Sequence, residues 1–383
     1  MKKILILSAE NTGHGHKSIT QSIMEQYEMR KLPVEAVEID SFELGGFITR
    51  LSGKLYNSVA VYAPFLWKLV YKSGDVCPGL INAFVTLKIR RNILDLIEKH
   101  KPDMIVSVHP CFVGAVNNIL EKNNINIPVI SFVADFDNVS HLWADKRTYA
   151  TLCPTENAKK TMLQLGVPEE KLKLFGFPAR DRFNHYNENN EEICADGYDP
   201  ASNSIKFMIM NGSQGTSAAI KMAKVLLDNI DNSKVTILAG RSKTLKKLLE
   251  DALKPKYGDR AQILGFVENV QDHMCAADIL ILRASPNVVT EAVNLCRPII
   301  VTGSLMGQEE KNPDFVENNN LGIVCRKIDK LPEAVNMLLS DGGKKINEIR
   351  TSQMSFRKPQ AARDIAMYIY NIMESFNSEK NKN

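Results

Sequence analysis

The chain alternates between two kinds of segment, and that alternation leaves few folds open to it. "KKILILSA" is an unbroken apolar run, as a strand covered on both faces must be. "HKSITQSIMEQYEMR" follows, with Ile19, Ile23, Met24 and Tyr27 at helical spacing. "PVEAVEID", "DMIVSVHP", "IPVISFVAD" and "YATLCP" read as further strands, and "ENAKKTMLQLG" as a helix stopped by Gly166. From Phe183 to Asn203 the pattern fails in a polar, turn-rich stretch. A second series then begins with "SIKFMIMNGSQG" and continues through "KVTILAG", "AQILGFV", "ADILILRAS" and "RPIIVTG". "SKTLKKLLEDAL" and "NVVTEAVNLC" are helices between them, and "AARDIAMYIYNIMESF" is a final amphipathic helix. Two such series predict an α/β chain with two Rossmann-like, doubly wound parallel-sheet domains facing a cleft. The expected division is 1–182, a linker at 183–203, and 204–357, with the helix at 358–376 packing back on the first domain. Ligands of such sheets bind beyond the carboxyl ends of the strands.

Composition narrows the class. The 383 residues are 44% hydrophobic and 24% charged, which is globular. A net charge of +4, with no compact basic stripe, argues against a dedicated nucleic-acid binder and is compatible with an anionic surface. The seven cysteines (Cys77, Cys111, Cys153, Cys194, Cys275, Cys296 and Cys325) show no ligand spacing and are expected to be reduced thiols of a cytoplasmic protein. No apolar run approaches the roughly 20 residues of a membrane span, so membrane contact is expected to be peripheral. One stretch stands apart. Phe42 to Gly74 is rich in aromatic and aliphatic residues, with Phe65, Leu66, Trp67, Leu69, Val70 and Tyr71 beside Lys68 and Lys72. It reads either as a buried helix pair or as an interfacial hairpin placing aromatics in lipid and lysines at head groups.

The first strand runs into "SAENTGHGHKS". A phosphate loop would need glycine directly before Lys-Ser, where His16 stands. A dinucleotide fingerprint is nearer: Gly13-x-Gly15-x-x-Ser18 lacks only its third glycine, and Asp40 ends the next strand. That reading, a nicotinamide oxidoreductase, leaves both histidines without a role. A third uses them. A histidine in the first turn of a helix feels the positive end of the helix dipole and is kept neutral, and neutral imidazole is a competent general base. In the second series, "NGSQGTS" lies between strand and helix, where small residues let backbone amides cradle a phosphate.

The ordered run "GFVENV", "RASPNVVTEA", "RPIIV", "GQEEKN", together with "GHGHKS", "VSVHP", "VADF…HLWAD", "CPTENAKKTMLQLGV", "GFPAR", "NGSQG" and "LAGR", covers nearly the whole chain. In it the chain resembles the monogalactosyldiacylglycerol synthase and processive diacylglycerol glucosyltransferase family. More distantly it resembles the peptidoglycan N-acetylglucosaminyltransferase. These are inverting GT-B glycosyltransferases that use UDP-sugars on lipid acceptors. The resemblance implies UDP-glucose or UDP-galactose as donor and diacylglycerol, or a glycosyl-diacylglycerol, as acceptor. It implies a peripheral position on the inner face of the cell membrane and no metal or other cofactor.

Residue by residue, the resemblance implies His16 as the catalytic base. Gly212, Ser213 and Gly215 would cradle the diphosphate, with Arg283 and Ser285 beside it. Phe266 and Val267 would lie against uracil, Glu291 would hold the ribose, and Gln308 and Glu309 would contact the donor sugar. His14, His109, Asp135, His141, Phe65 and Trp67 would shape the acceptor side. The chain departs from the family's glycines at His14, Ser285 and Asn287. These departures motivate an alternative, a non-catalytic UDP-sugar sensor on the same fold; a polyisoprenoid-linked or other lipid acceptor is a further one. Asp135-Phe136-Asp137 has the form of a metal-binding DxD, but it follows a strand of the acceptor domain, and no metal is expected there.

Overall fold

The computed structural model describes residues 1–9, 15–46, 59, 63–184, 194, 198–199, 204–210 and 216–380, with the side chains of 377–380 excepted. The chain divides into two compact units: Met1–Arg180, Leu305–Glu310 and Lys358–Asn383, and then Asp181–Ser304 with Lys311–Arg357. Leu305–Glu310, which the sequence reading keeps with the second domain, is counted with the first unit.

The first unit is built on a six-stranded parallel sheet: β1 (Lys2–Ser8), β2 (Val34–Asp40), β3 (Met104–Ser107), β4 (Val129–Phe132), β5 (Ala150–Cys153) and β6 (Leu172–Leu174), in the order β2-β1-β3-β4-β5-β6. Ile4 to Leu7 are almost wholly buried, which explains the unbroken apolar run of β1. β2, at the sheet edge, mixes polar and apolar residues and is half-buried throughout. Among the described residues the sheet is accompanied by α1 (Gly15–Met29), α2 (Pro64–Val76), α3 (Pro78–His100), α4 (Pro110–Lys122) and α5 (Glu156–Gln164), besides the last helix of the chain. α3 and α4 approach closely at Gly114, where a Cβ would lie 2.3 Å from the Asn82 side chain. Their apolar faces, including Ile89, Ile93, Phe112 and Ile119, join Leu5, Leu7 and Ile105 in one core.

The second unit repeats the plan: β7 (Ile205–Met210), β8 (Ser233–Leu238), β9 (Ala261–Leu264), β10 (Ile279–Arg283), β11 (Ile299–Gly303) and β12 (Ile323–Val324), all parallel, in the order β12-β11-β10-β7-β8-β9. Its helices are α6 (Thr216–Asn229), α7 (Lys243–Tyr257), α8 (Val270–Cys275), α9 (Pro286–Asn294), α10 (Asn312–Asn318) and α11 (Leu331–Phe356). α11 is broken at Ser340–Gly343, where Asp341, Gly342 and Gly343 take positive φ. The last helix, α12 (Ala361–Lys380), belongs to the first unit and packs on α1, burying Ile365, Ile369 and Met373. None of the helices among the described residues is long and apolar enough to cross a membrane.

The cysteine expectation needs correction. Cys194 and Cys275 form a disulfide, their Cα atoms 5.2 Å apart; Cys77, Cys111, Cys153, Cys296 and Cys325 are free thiols. The pairing spans 81 positions, so no local spacing announces it. The Arg297 guanidinium, almost wholly buried, donates to the Cys194 sulfur at 2.9 and 3.1 Å.

Candidate active site

In a doubly wound sheet the loops diverge where the strand order reverses, and the opening lies beyond the carboxyl ends of the two strands concerned. In the first unit those strands are β1 and β3, paired from Ile4 opposite Met104 to Leu7 opposite Ser107. The segment after β1 leads to His16, the second residue of α1; the one after β3 carries His109, the N-cap of α4. The two imidazoles meet there, ring centroids 4.7 Å apart, and both are buried.

Their hydrogen bonds settle the tautomers. The Val108 carbonyl can only accept, so His16 Nδ1–H donates to it at 2.5 Å, and Nε2 keeps its lone pair. His109 Nδ1 accepts from the Cys111 amide at 3.3 Å, capping α4. Phe42 and Phe112 pack against His109, their ring centroids 5.1 and 5.3 Å from it. This apolar enclosure penalises the charged imidazolium. Burial lowers His16 to about 4, partly opposed by the Val108 bond. His109 is held well below its ordinary value by burial and by His16. Burial also pushes the nearby Cys111 thiol up to about 12, so it is not a thiolate nucleophile.

Asp135 follows β4 and is buried. Its Oδ2 accepts from Trp143 Nε1 at 2.9 Å and its Oδ1 from Gln308 Nε2 at 3.3 Å. Burial raises its carboxyl to about 7, against the two hydrogen bonds and helped by Glu309 and Asp75. His141 is bonded to the end of α2. Its Nδ1–H donates to the Asp75 carbonyl at the end of α2, and the Asp75 carboxylate accepts from its backbone amide, both at 2.9 Å.

The aromatic stretch divides by face. Phe65, Leu66, Leu69 and Val70 of α2 are exposed, Phe65 by 79%. Trp67 and Tyr71, expected to enter lipid with Phe65, are instead half-buried, one helical turn apart on the opposite face. The exposed apolar surface continues onto Val76 and onto Leu80, Phe84 and Leu87 of α3, with Lys88 over the Phe84 ring. Those α3 residues were legible as an apolar i, i+4, i+7 stripe. The part of the stretch at 47–58 and 60–62 lies outside the described residues.

In the second unit the order reverses between β7 and β10, paired from Ile279 opposite Phe207 to Leu282 opposite Met210. Gly212, Ser213 and Gly215, which follow β7, lie outside the described residues, as does His14 in the first unit. Arg283 ends β10, Ser285 is the N-cap of α9, and Glu291 lies on α9; all three are half-buried. Phe266 and Val267 follow β9; Phe266 is exposed, with the Arg241 guanidinium 4.6 Å from its ring centroid. Gln308 and Glu309 are in the segment counted with the first unit. The Glu309 carboxylate is buried and accepts from the Leu305 amide at 3.0 Å. Asp40, the ribose ligand of a dinucleotide reading, accepts from the Phe42 amide at 3.1 Å and caps the turn after β2.

Each half of the chain matches a glycosyltransferase family model. Residues 16–179 match the family described as monogalactosyldiacylglycerol (MGDG) synthase, and residues 210–341 match glycosyl transferases group 1. The first match is to the family in whose pattern the sequence motifs were read, and it covers most of the first unit. A processive diacylglycerol beta-glucosyltransferase of Staphylococcus epidermidis is 28% identical over 345 residues, 89% of this chain and 84% of the relative. One of the same description from Bacillus subtilis is 25% identical over 89% of this chain and 87% of its own. Among solved structures, Acinetobacter baumannii MurG superposes with a TM-score of 0.63 at 13% identity, covering 97% of this chain and all of that one. The S. aureus MnaA–UDP co-structure gives 0.61 at 14%, covering 98% and 97%. These two show the fold, which is GT-B.

Proposed function

We propose that this chain is a metal-independent glycosyltransferase that moves a hexose from a UDP-sugar to diacylglycerol, or to a glycosyl-diacylglycerol, with inversion at the anomeric carbon. The observation that carries the reading is His16: a neutral imidazole with Nδ1–H fixed on a backbone carbonyl and Nε2 left basic, at the switch point of the first sheet. The relatives, processive diacylglycerol beta-glucosyltransferases, support the reaction class and the lipid acceptor. His16 Nε2 takes the proton of the acceptor hydroxyl as its oxygen bonds to the anomeric carbon. The bond from that carbon to the diphosphate oxygen breaks, and UDP leaves with the electron pair. General-base help of this kind is worth ~10²–10⁴ in rate. His109, Phe42 and Phe112 keep the base dry and oriented.

The backbone of 211–215 and the N-terminus of α9 would hold the diphosphate, an arrangement that needs no cation. Asp135 supports the same view, because both its oxygens already accept from protein donors and its carboxyl is half-protonated near neutral pH. The exposed faces of α2 and α3, with Lys72 and Lys88 among them, would seat the protein on the inner face of an anionic membrane. The test is incubation with labelled UDP-glucose or UDP-galactose over diacylglycerol vesicles, with products analysed by mass. His16→Ala should keep UDP binding and lose transfer by orders of magnitude. Near-normal turnover in that variant removes His16 as base; UDP binding without glycolipid in the wild type supports a sensor instead.

A further inference from the structure

The segment Leu305–Glu310 joins β11 to α10, yet it is held by side chains of α2 and of the loop after β4. Asn138 Nδ2 donates to the Gly307 carbonyl, and Tyr71 Oη donates to the Asn138 carbonyl at 2.8 Å. Lys68 Nζ reaches the Glu310 carboxylate at 2.7 Å and holds its carboxyl below the ordinary range. Gly307 takes φ +83° with Tyr71 directly against it: a Cβ there would lie 3.3 Å from the Tyr71 Cβ. Within the segment the Glu309 carboxylate closes the turn on the Leu305 amide, and Gln308 extends to Asp135.

Lys68 and Tyr71 lie three residues apart on the helix whose other face is the exposed apolar surface. We propose that Lys68, Tyr71 and Asn138 are positioning residues that clamp the Leu305–Glu310 turn so that Gln308 and Glu309 meet the donor sugar. The proposal rests on the glycosyltransferase reading above. None of the three needs to touch substrate. Each acts through the turn, and a misplacement of about 1 Å at a reacting centre can cost on the order of 100-fold in rate.

The test uses the full-length chain with Asn138→Ala, Tyr71→Phe and Lys68→Glu, and the charge swap Lys68→Glu with Glu310→Lys. Amide exchange at 305–310 should speed up in the single variants and return toward wild type in the swap. The kcat/KM for the UDP-sugar should fall at least about tenfold in Asn138→Ala. The inhibition constant for UDP, which lacks the sugar, should stay within about twofold, and so should sedimentation of Tyr71→Phe and Asn138→Ala with vesicles. Unchanged exchange at 305–310 overturns the clamp. Faster exchange with unchanged kcat/KM overturns its part in the reaction, as does an equal loss of UDP affinity, which would report general damage. A wild-type chain that makes no glycolipid from any UDP-sugar sinks the underlying function, and the exchange data then still decide whether the clamp exists.

Discussion

Lowering the pH is the perturbation that tests the histidine site most directly. In water a histidine of ordinary pKa near 6.5 is about 10% neutral at pH 5.5, so a base of that kind would lose roughly nine-tenths of its activity. His16, lowered to about 4 by its enclosure, remains about 97% neutral at that pH. The kcat/KM for glycolipid formation should therefore be nearly flat from pH 7.5 to 5.5 and turn down only toward pH 4. The assay is initial rate against pH at subsaturating donor, in buffers of constant ionic strength, with circular dichroism as a check on folding.

That check matters because the same burial affects stability. A histidine whose folded pKa is depressed binds fewer protons when native, so its stabilisation is present above about pH 6.5 and is lost as the pH falls toward 4. For His16 the loss between pH 7.5 and 5.5 is about 1 kcal/mol. Asp135 has the opposite sign. Its folded pKa is raised, so the native state gains stability over the same interval, by roughly 2 kcal/mol. His109, also held well below its ordinary value, adds a loss of the same sign as that of His16, so the histidine losses and the Asp135 gain oppose each other and circular dichroism reads the net change across the window. A limb of unit slope centred near 6.5, in protein whose folding is unchanged, would mean that water reaches His16 and that the enclosure by Phe42, Phe112 and His109 does not act as argued.

Three other outcomes are expected. Asp135→Asn should flatten the decline in stability that the wild type shows from pH 6 to 9 and should stabilise the chain at pH 8.5 by roughly 2–4 kcal/mol, read from urea midpoints; an unchanged decline would place the titration elsewhere. Replacing Phe65, Leu69, Leu80 and Leu87 together with serine should abolish sedimentation with anionic vesicles while leaving solubility intact, since all four are exposed; retained binding would move the membrane surface off α2 and α3. Alkylation in denaturant without reductant should modify five cysteines, and all seven after reduction; seven in both cases would remove the Cys194–Cys275 bond.

Much of the fold was legible because its signal is local. β1, β10 and β11 carry continuous apolar runs, and β4 is apolar but for Ser131; such runs have few homes other than the middle of a parallel sheet. β6 and β12, with three and two residues, carry too little pattern to be read. α11 was hidden because Asp341-Gly342-Gly343 interrupts its periodicity. His16 was legible from its place after a strand and at a helix start. His109 was named for the acceptor side, but its contact with His16 was not legible, nor were Val108, Phe42 and Phe112: the pairing of β1 with β3 brings Val108, 92 residues away, and His109 to His16, and the pairing of β1 with β2 brings Phe42 to His109. The sequence left the placing of Trp67 and Tyr71 open between lipid and core for a related reason. An aromatic cluster has the same composition whether it faces lipid or packs inward, and only the helical phase against neighbouring elements separates Phe65 from the other two.

The scaffold itself does not supply the chemistry. Chains that share only 13–14% of their residues with this one adopt the same fold, so the sheet orders and switch points are compatible with many side chains at their ends. What the topology contributes is coincidence in space. Because β1 lies between β2 and β3, any residue just after β1 meets any residue just after β3. In this chain those residues are two histidines, and the next contributions are aromatic, which turns an exposed pH-sensitive pair into a dry and neutral one. It follows that polar replacement of the wall should be more damaging than its volume implies. Phe42 packs on His109, which in turn packs on His16, so Phe42→Asn, by admitting water beside His109, should bring the acid limb of the rate profile up from about 4 toward the ordinary histidine value, while Phe42→Leu should leave it in place. Equal limbs in the two variants would show that the wall fills space without setting the state of the base.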